Sequence, residues 1–172
     1  LRAQTGITLA GNLFAEGRAT EADGGVIQLS TAAGDVVVSG LSSVRGGGLA
    51  GGGLIDIDAG GVVSLTNFVD ISGGDFGGGE LDVKAGGDVT VGQDILANGG
   101  GLAGDGGSVS LDSKGSVRLL HTIKAGAVGD ADEGGGTGGD VDIVADADVV
   151  LSAPLQLRGA APYGEGGGVF IV

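Results

Sequence analysis

Apolar residues in this chain come in pairs spaced by two, and the pairs return at regular distances. In "GGELDVKAGGDVTVGQDILANGGG", which begins at Gly78, they fall at Leu81/Val83, Val89/Val91 and Ile95/Ala97. The phrase recurs along the whole chain. A first strand supplies Ile27/Leu29, Ile55/Ile57, Leu81/Val83, Val109/Leu111, Val141/Ile143 and Phe170/Val172. A second supplies Ile7/Leu9, Val36/Val38, Val63/Leu65, Val89/Val91, Val117/Leu119 and Val149/Leu151. A third supplies Leu13/Ala15, Ser42/Val44, Val69/Ile71, Ile95/Ala97, Ile123/Ala125 and Leu155/Leu157. Of these 36 positions only Ser42 is not apolar. The second-to-third offset is six residues in every copy, and the first-to-second offset is eight, or nine in the copy containing "STAAGD".

Alternation with period two means strands with one buried face. Helices are excluded, because the segments are rich in glycine and β-branched residues and show no 3.6-residue period. A unit of three strands cannot bury its own apolar face, but stacked units can. Paired glycines at Gly24, Gly52, Gly78, Gly106, Gly138 and Gly167 open each unit, spaced by 28, 26, 28, 32 and 29 residues. They mark the point where a variable loop re-enters the repeat. The expected fold is all-β: a three-sided parallel β-helix of about six coils of 26–32 residues, one domain over residues 1–172. The prevailing hand of parallel crossovers predicts the right-handed form. At one strand spacing per coil the rod is roughly 30 Å long.

Composition refines this reading. The chain holds 42 glycines but only two prolines, and glycine does not fall at every third residue, which excludes collagen. Aromatic residues make up 3% of the chain, so the core must be aliphatic. A net charge of −14 argues against nucleic acid and against docking on anionic lipid, and it suits cation binding. No apolar run is long enough for a membrane-spanning helix. With no cysteine there is no disulfide and no thiolate metal site.

The phrases "GGDVTVGQDILANGG", "GGVVSLTNFVDISGG" and "KGSVRLLHTIKAGA" resemble the repeats of filamentous-haemagglutinin-type exoproteins. The resemblance covers nearly the whole chain. It implies a right-handed β-helical shaft, an extracellular or cell-surface setting and structural or adhesive work, and it carries no catalytic residue to any position. The family's N-terminal secretion-recognition region has no counterpart in these residues.

The chain is expected to start just before a second strand and to stop at the end of a first. Joined end to end, "GGVFIV" and "LRAQTGITLAG" put Val172 and Ile7 seven residues apart, as Leu29 and Val36 are. The expected partners are therefore neighbouring coils of a longer solenoid or identical subunits stacked head to tail, with surface glycans as an adhesive target.

Candidate sites are few. Outward residues of the first strand are Gln28, Asp56, Asp82, Ser110 and Asp142; Asp56 and Asp82 should be ladder neighbours, which invites a calcium bridge or a solvated acidic face. The loop "GDADEGGGTGGDVD" gathers Asp130, Asp132, Glu133 and Asp140 as a candidate calcium site, although its spacing departs from an EF-hand; a flexible acidic loop is the alternative. His121 should share a polar corner with Asn67 and Gln93, with Arg118, Lys124 and Asp94 nearby. No catalytic residue and no organic cofactor is expected. The rival readings are a polysaccharide-cleaving β-helix, which would need a walled groove, and a calcium-stabilised carbohydrate-binding adhesin module. An ice-binding face is disfavoured, since the outward second-strand residues Thr8, Val37, Ser64, Thr90, Arg118 and Val150 form no threonine array.

Overall fold

A computed structural model of the chain describes residues 1–101, 104–128, 135–161 and 163–172. Among these residues all regular structure is β-strand, in three parallel sheets. The first sheet contains Arg2–Ala3, Val26–Thr31, Leu54–Ala59, Glu80–Ala85, Ser108–Ser113, Asp140–Ala145 and Val169–Ile171, neighbours in that order. The second contains Gly6–Leu9, Asp35–Val38, Val63–Leu65, Val89–Val91, Val117–Leu119 and Val149–Leu151. The third contains Leu13–Phe14, Ser42–Ser43, Val69–Asp70, Ile95–Leu96, Ile123–Lys124 and Leu155–Gln156. Every strand pairs with its equivalent one coil away, so the chain is a β-solenoid of about six coils.

Parallel pairing in register stacks like on like. Val36, Val63, Val89 and Val117 form one inward ladder with no measurable exposure. Ile55, Leu81, Val109 and Val141 form another. Each such side chain contributes about 1.5–3 kcal/mol by leaving water. No charged residue is buried among the described residues. Ser42, the one polar slot, is buried between Leu13 and Val69. Core positions in the outermost coils, such as Leu9, Leu13, Val149 and Leu155, are only half-buried because one neighbour is lacking.

The first strand is longer than its apolar pairs suggest, and it points a third residue inward. Ala3, Thr31, Ala59, Ala85, Ser113 and Ala145 form this rung. It lies where the ribbon turns toward the second sheet, and there the buried hydroxyls bond to the turn itself. Thr31 Oγ1 donates to the Gly34 carbonyl at 2.5 Å, and Ser113 Oγ donates to the Gly87 carbonyl at 2.7 Å.

A recurrent bond explains why coil length varies while the core does not. The second glycine of each pair donates its N–H to the carbonyl of the inward residue that follows the preceding third-sheet strand. These bonds are Gly25–Ala15, Gly53–Val44, Gly79–Ile71, Gly107–Ala97, Gly139–Ala125 and Gly167–Leu157, at 2.6–2.8 Å. Each closes the base of a loop, so residues between its two ends leave the prism untouched. Glycine is required by this closeness. A Cβ on Gly24 would lie 1.8 Å from the Val44 carbonyl oxygen, and one on Gly79 would lie 2.1 Å from that of Gly53.

Two details differ from the sequence reading. In the last coil Val141 pairs with Val169 and Ile143 with Ile171, so the inward residues are Val169 and Ile171, not Phe170 and Val172. "GGGVFIV" holds three glycines before four apolar residues, and both phases of such a run look alike; the strand settles one residue earlier, with Gly166 and Gly167 as its pair. A one-residue slip moves every side chain to the opposite face. At the other end, Arg2–Ala3 pairs with Ser30–Thr31, so the first described strand belongs to the first sheet, not the second. The spacing count between Val172 and Ile7 rested on Val172 facing inward, and it falls with that phase.

Candidate functional site

The acidic residues outside the core have a shared structural habit. At the corners the strand ladder is interrupted, and backbone N–H groups there need another acceptor. Asp and Asn side chains supply it from one coil earlier. Asp23 Oδ1 accepts from Gly51 N at 2.9 Å, Asp35 Oδ1 from Val62 N at 2.8 Å and Asp88 Oδ1 from Ser116 N at 2.8 Å. Asp94 Oδ1 accepts from Thr122 N at 3.1 Å, Asp105 Oδ1 from Thr137 N at 2.6 Å and Asp140 Oδ1 from Gly168 N at 2.9 Å. Asn12 and Asn98 do the same for Leu41 and Gly126. These side chains staple successive coils where the backbone alone does not.

Two of these staples also hold a lysine or arginine. Arg118 Nη1 lies 2.7 Å from Asp88 Oδ2, and Lys124 Nζ lies 2.7 Å from Asp94 Oδ2. The Ser116 N–H, with Arg118 second, holds the Asp88 carboxyl below its ordinary pKa. For Asp94 the hydrogen bond from Lys124 acts first; burial opposes it, and the Thr122 N–H adds a smaller pull in the same direction as Lys124. Both carboxylates thus favour their charged form in the folded chain.

His121 occupies the corner position of Asn67 and Gln93 in the neighbouring coils, as the spacing predicts. Its Nδ1 lies 3.7 Å from Asp94 Oδ1, on the same carboxylate as Lys124. Arg118 is drawn instead to Asp88. The Asp56–Asp82 neighbours are also in register. Their repulsion is offset by groups of the chain itself: Lys84 Nζ contacts Asp82 Oδ2 at 2.5 Å, and Gln28 Nε2 donates to Asp56 Oδ2 at 3.1 Å. The bond to Asp82, followed by the pull of its charge and, more weakly, of Asp56 and Asp58, raises the Lys84 pKa.

Of the candidate calcium ligands, Asp130, Asp132 and Glu133 lie outside the described residues. Asp140 is described, and its Oδ1 is engaged by Gly168 N. Among the described residues no three His, Asp or Glu side chains gather as metal ligands do. No helix among them is long and apolar enough to cross a membrane.

Two concavities stand out. A shallow groove of about 660 Å³ runs along the axis over the paired glycines from Gly24 to Gly139, edged by Glu80, Asp105 and Asp140. Among the described residues that line it none is aromatic, so these offer no stacking platform for a sugar ring. Its glycine floor follows from the close packing already described. The second concavity lies on the loop ridge among Glu21, Asp23, Leu49, Asp75 and Phe76. Nothing in the apolar periodicity marks it, because Leu49 and Phe76 belong to the variable loops.

No family model, no curated protein and no solved structure matches the chain.

Proposed function

We propose that this chain is a non-enzymatic structural segment of an extracellular or cell-surface fibre, a shaft or filament piece of the filamentous-haemagglutinin type that its repeats resemble. The observation that carries this reading is the uninterrupted ladder: three parallel sheets run in register from the first described coil to the last. Backbone hydrogen bonds along the axis and a continuous aliphatic core resist extension in that direction. Because every coil repeats the same parallel strand spacing, further coils, of this chain or another, extend the same ladder. The groove has acids along its edge but no aromatic platform, which supports scaffolding over sugar cleavage.

Negative-stain microscopy of the chain at increasing concentration tests the reading. Rods that lengthen with concentration while keeping one width are the expected result. Compact monomers or shapeless aggregates at every concentration, with turnover of a polysaccharide panel, would overturn it.

A further inference from the structure

The variable loops are themselves stacked. Leu49 N donates to Thr20 O at 2.8 Å and Gly47 N to Ala22 O at 2.8 Å; Gly74 N donates to Ala50 O at 2.6 Å and Asp75 N to Gly48 O at 3.2 Å. Three consecutive loops thereby form an ordered ridge outside the prism. On it lies a cleft of about 760 Å³ lined by Glu21, Asp23, Leu49, Asp75 and Phe76. Phe76 is 82% exposed and Leu49 43%. Gly51 packs beside Phe76 and Asp23: a Cβ there would sit in ordinary contact with Phe76 Cβ at 3.8 Å and Asp23 Oδ1 at 3.7 Å. Asp23 is oriented by its bond from Gly51 N. Among the described residues no lysine or arginine lines the cleft. Arg18 lies 3.9 Å from Glu16 and Arg45 3.7 Å from Asp70, and Asp75 is itself engaged within the chain.

Two exposed apolar side chains beside three carboxylates, on a chain of net charge −14, complement one kind of ligand. We infer that this cleft docks a basic, apolar segment of a partner protein, a Lys or Arg flanked by aliphatic residues. The aliphatic stem lies on Leu49, the cationic head lies among the carboxylates, and the face of Phe76 adds a cation–π contact. Because the backbone bonds preorganise the loops, little ordering cost opposes binding. This inference does not rest on the fibre reading, since the cleft is lateral and involves neither end of the solenoid.

The test is an amide-shift titration of ¹⁵N-labelled protein with the peptide acetyl-Leu-Lys-Val-Arg-Leu-amide. Shifts should centre on Leu49, Gly51 and Phe76. Phe76→Ser and the double variant Glu21→Gln/Asp75→Asn should each weaken binding by about tenfold or more, and raising salt from about 50 to about 500 mM should weaken it further. Circular dichroism melting should be unchanged for Phe76→Ser, whose side chain lies outside the prism. The inference is overturned if the shifts centre elsewhere or if Phe76→Ser binds as tightly as the parent. Equal binding of the same peptide with Glu for Lys and Arg, or with neutral Gln, would also overturn it. Failure of the fibre assay would leave this result intact, and the reverse holds too.

Discussion

Replacing Val91 by Asp places a carboxylate in the centre of the prism. Val91 is 1% exposed and pairs in register with Leu65 on one side and Leu119 on the other, at 2% and 0% exposure. No cation reaches it, because every lysine and arginine of the described residues faces outward. The carboxyl must therefore be neutral in the folded chain at pH 7. Holding it neutral about three pH units above its unfolded pKa of about 3.9 costs about 4 kcal/mol. Losing the buried valine side chain adds about 1.5–3 kcal/mol. The sum, about 5–7 kcal/mol, rivals the whole stability of an ordinary domain. Thr90→Asp is the control. Thr90 is only half-buried, and its ladder neighbours are Ser64 and Arg118, so the change should stay within about 0.5 kcal/mol. Urea unfolding followed by circular dichroism reads both. The ionisation part of the Val91→Asp penalty grows above the unfolded pKa, so the gap between the two variants should narrow as pH falls toward 4. Equal losses for the two variants, or a loss below about 2 kcal/mol at Val91, would refute the inward phase of the second strand.

Other outcomes follow from the same geometry. Asp94→Ala removes the acceptor for Thr122 N and the partner of Lys124, and should cost about 1–2 kcal/mol in urea unfolding. Asp88 and Asp94 have depressed pKa values in the folded chain, so their stabilisation is complete above the unfolded carboxylate pKa and is lost as pH falls below about 4; a melting temperature that rises on acidification through that range would contradict it. Gly79→Ala should disrupt its coil because the new Cβ meets the Gly53 carbonyl, whereas Gly11→Ala, with nothing within 4 Å, should stabilise by about 0.4–1 kcal/mol. Four residues inserted between Ala160 and Ala161, within a loop closed by the Gly167–Leu157 bond, should cost under about 1 kcal/mol. The same insertion between Gly86 and Gly87, at a corner whose length varies by no more than one residue between coils, should destabilise far more; comparable melting of the two insertion variants would refute the loop-closure argument.

Much of the architecture is readable without coordinates, because burial on one face of a strand forces period-two alternation and a repeated coil forces a repeated spacing. The pairs from Ile55/Ile57 to Val141/Ile143 show it: their slots are filled by large aliphatics, and a slip by one residue would expose them. The same logic fails at Val169–Val172, where both phases are apolar and only pairing with Val141 and Ile143 decides between them. It also misses the rung of Thr31, Ala59, Ala85 and Ser113, since small residues carry no hydropathy signal and their burial depends on how tightly the corner turns.

The polar chemistry lies further from the linear pattern. That Asp35, Asp88, Asp94 and Asp140 serve as staples depends on which backbone N–H is left without a partner at a corner, a property of neighbouring coils and not of any local window. Lys84 meets Asp82 within one strand, but the pull of Asp56 and Asp58 comes from the coil below. The cleft of Leu49 and Phe76 arises because three loops of unequal length are pinned at their bases and stacked one over another. By itself, then, the amino-acid order determines the coil, its three faces and its aliphatic interior, because those follow from periodic burial along a single strand. Tertiary structure alone decides the terminal phase, the staples and the cleft, because each is a contact between residues about one coil apart whose partners are chosen by backbone geometry.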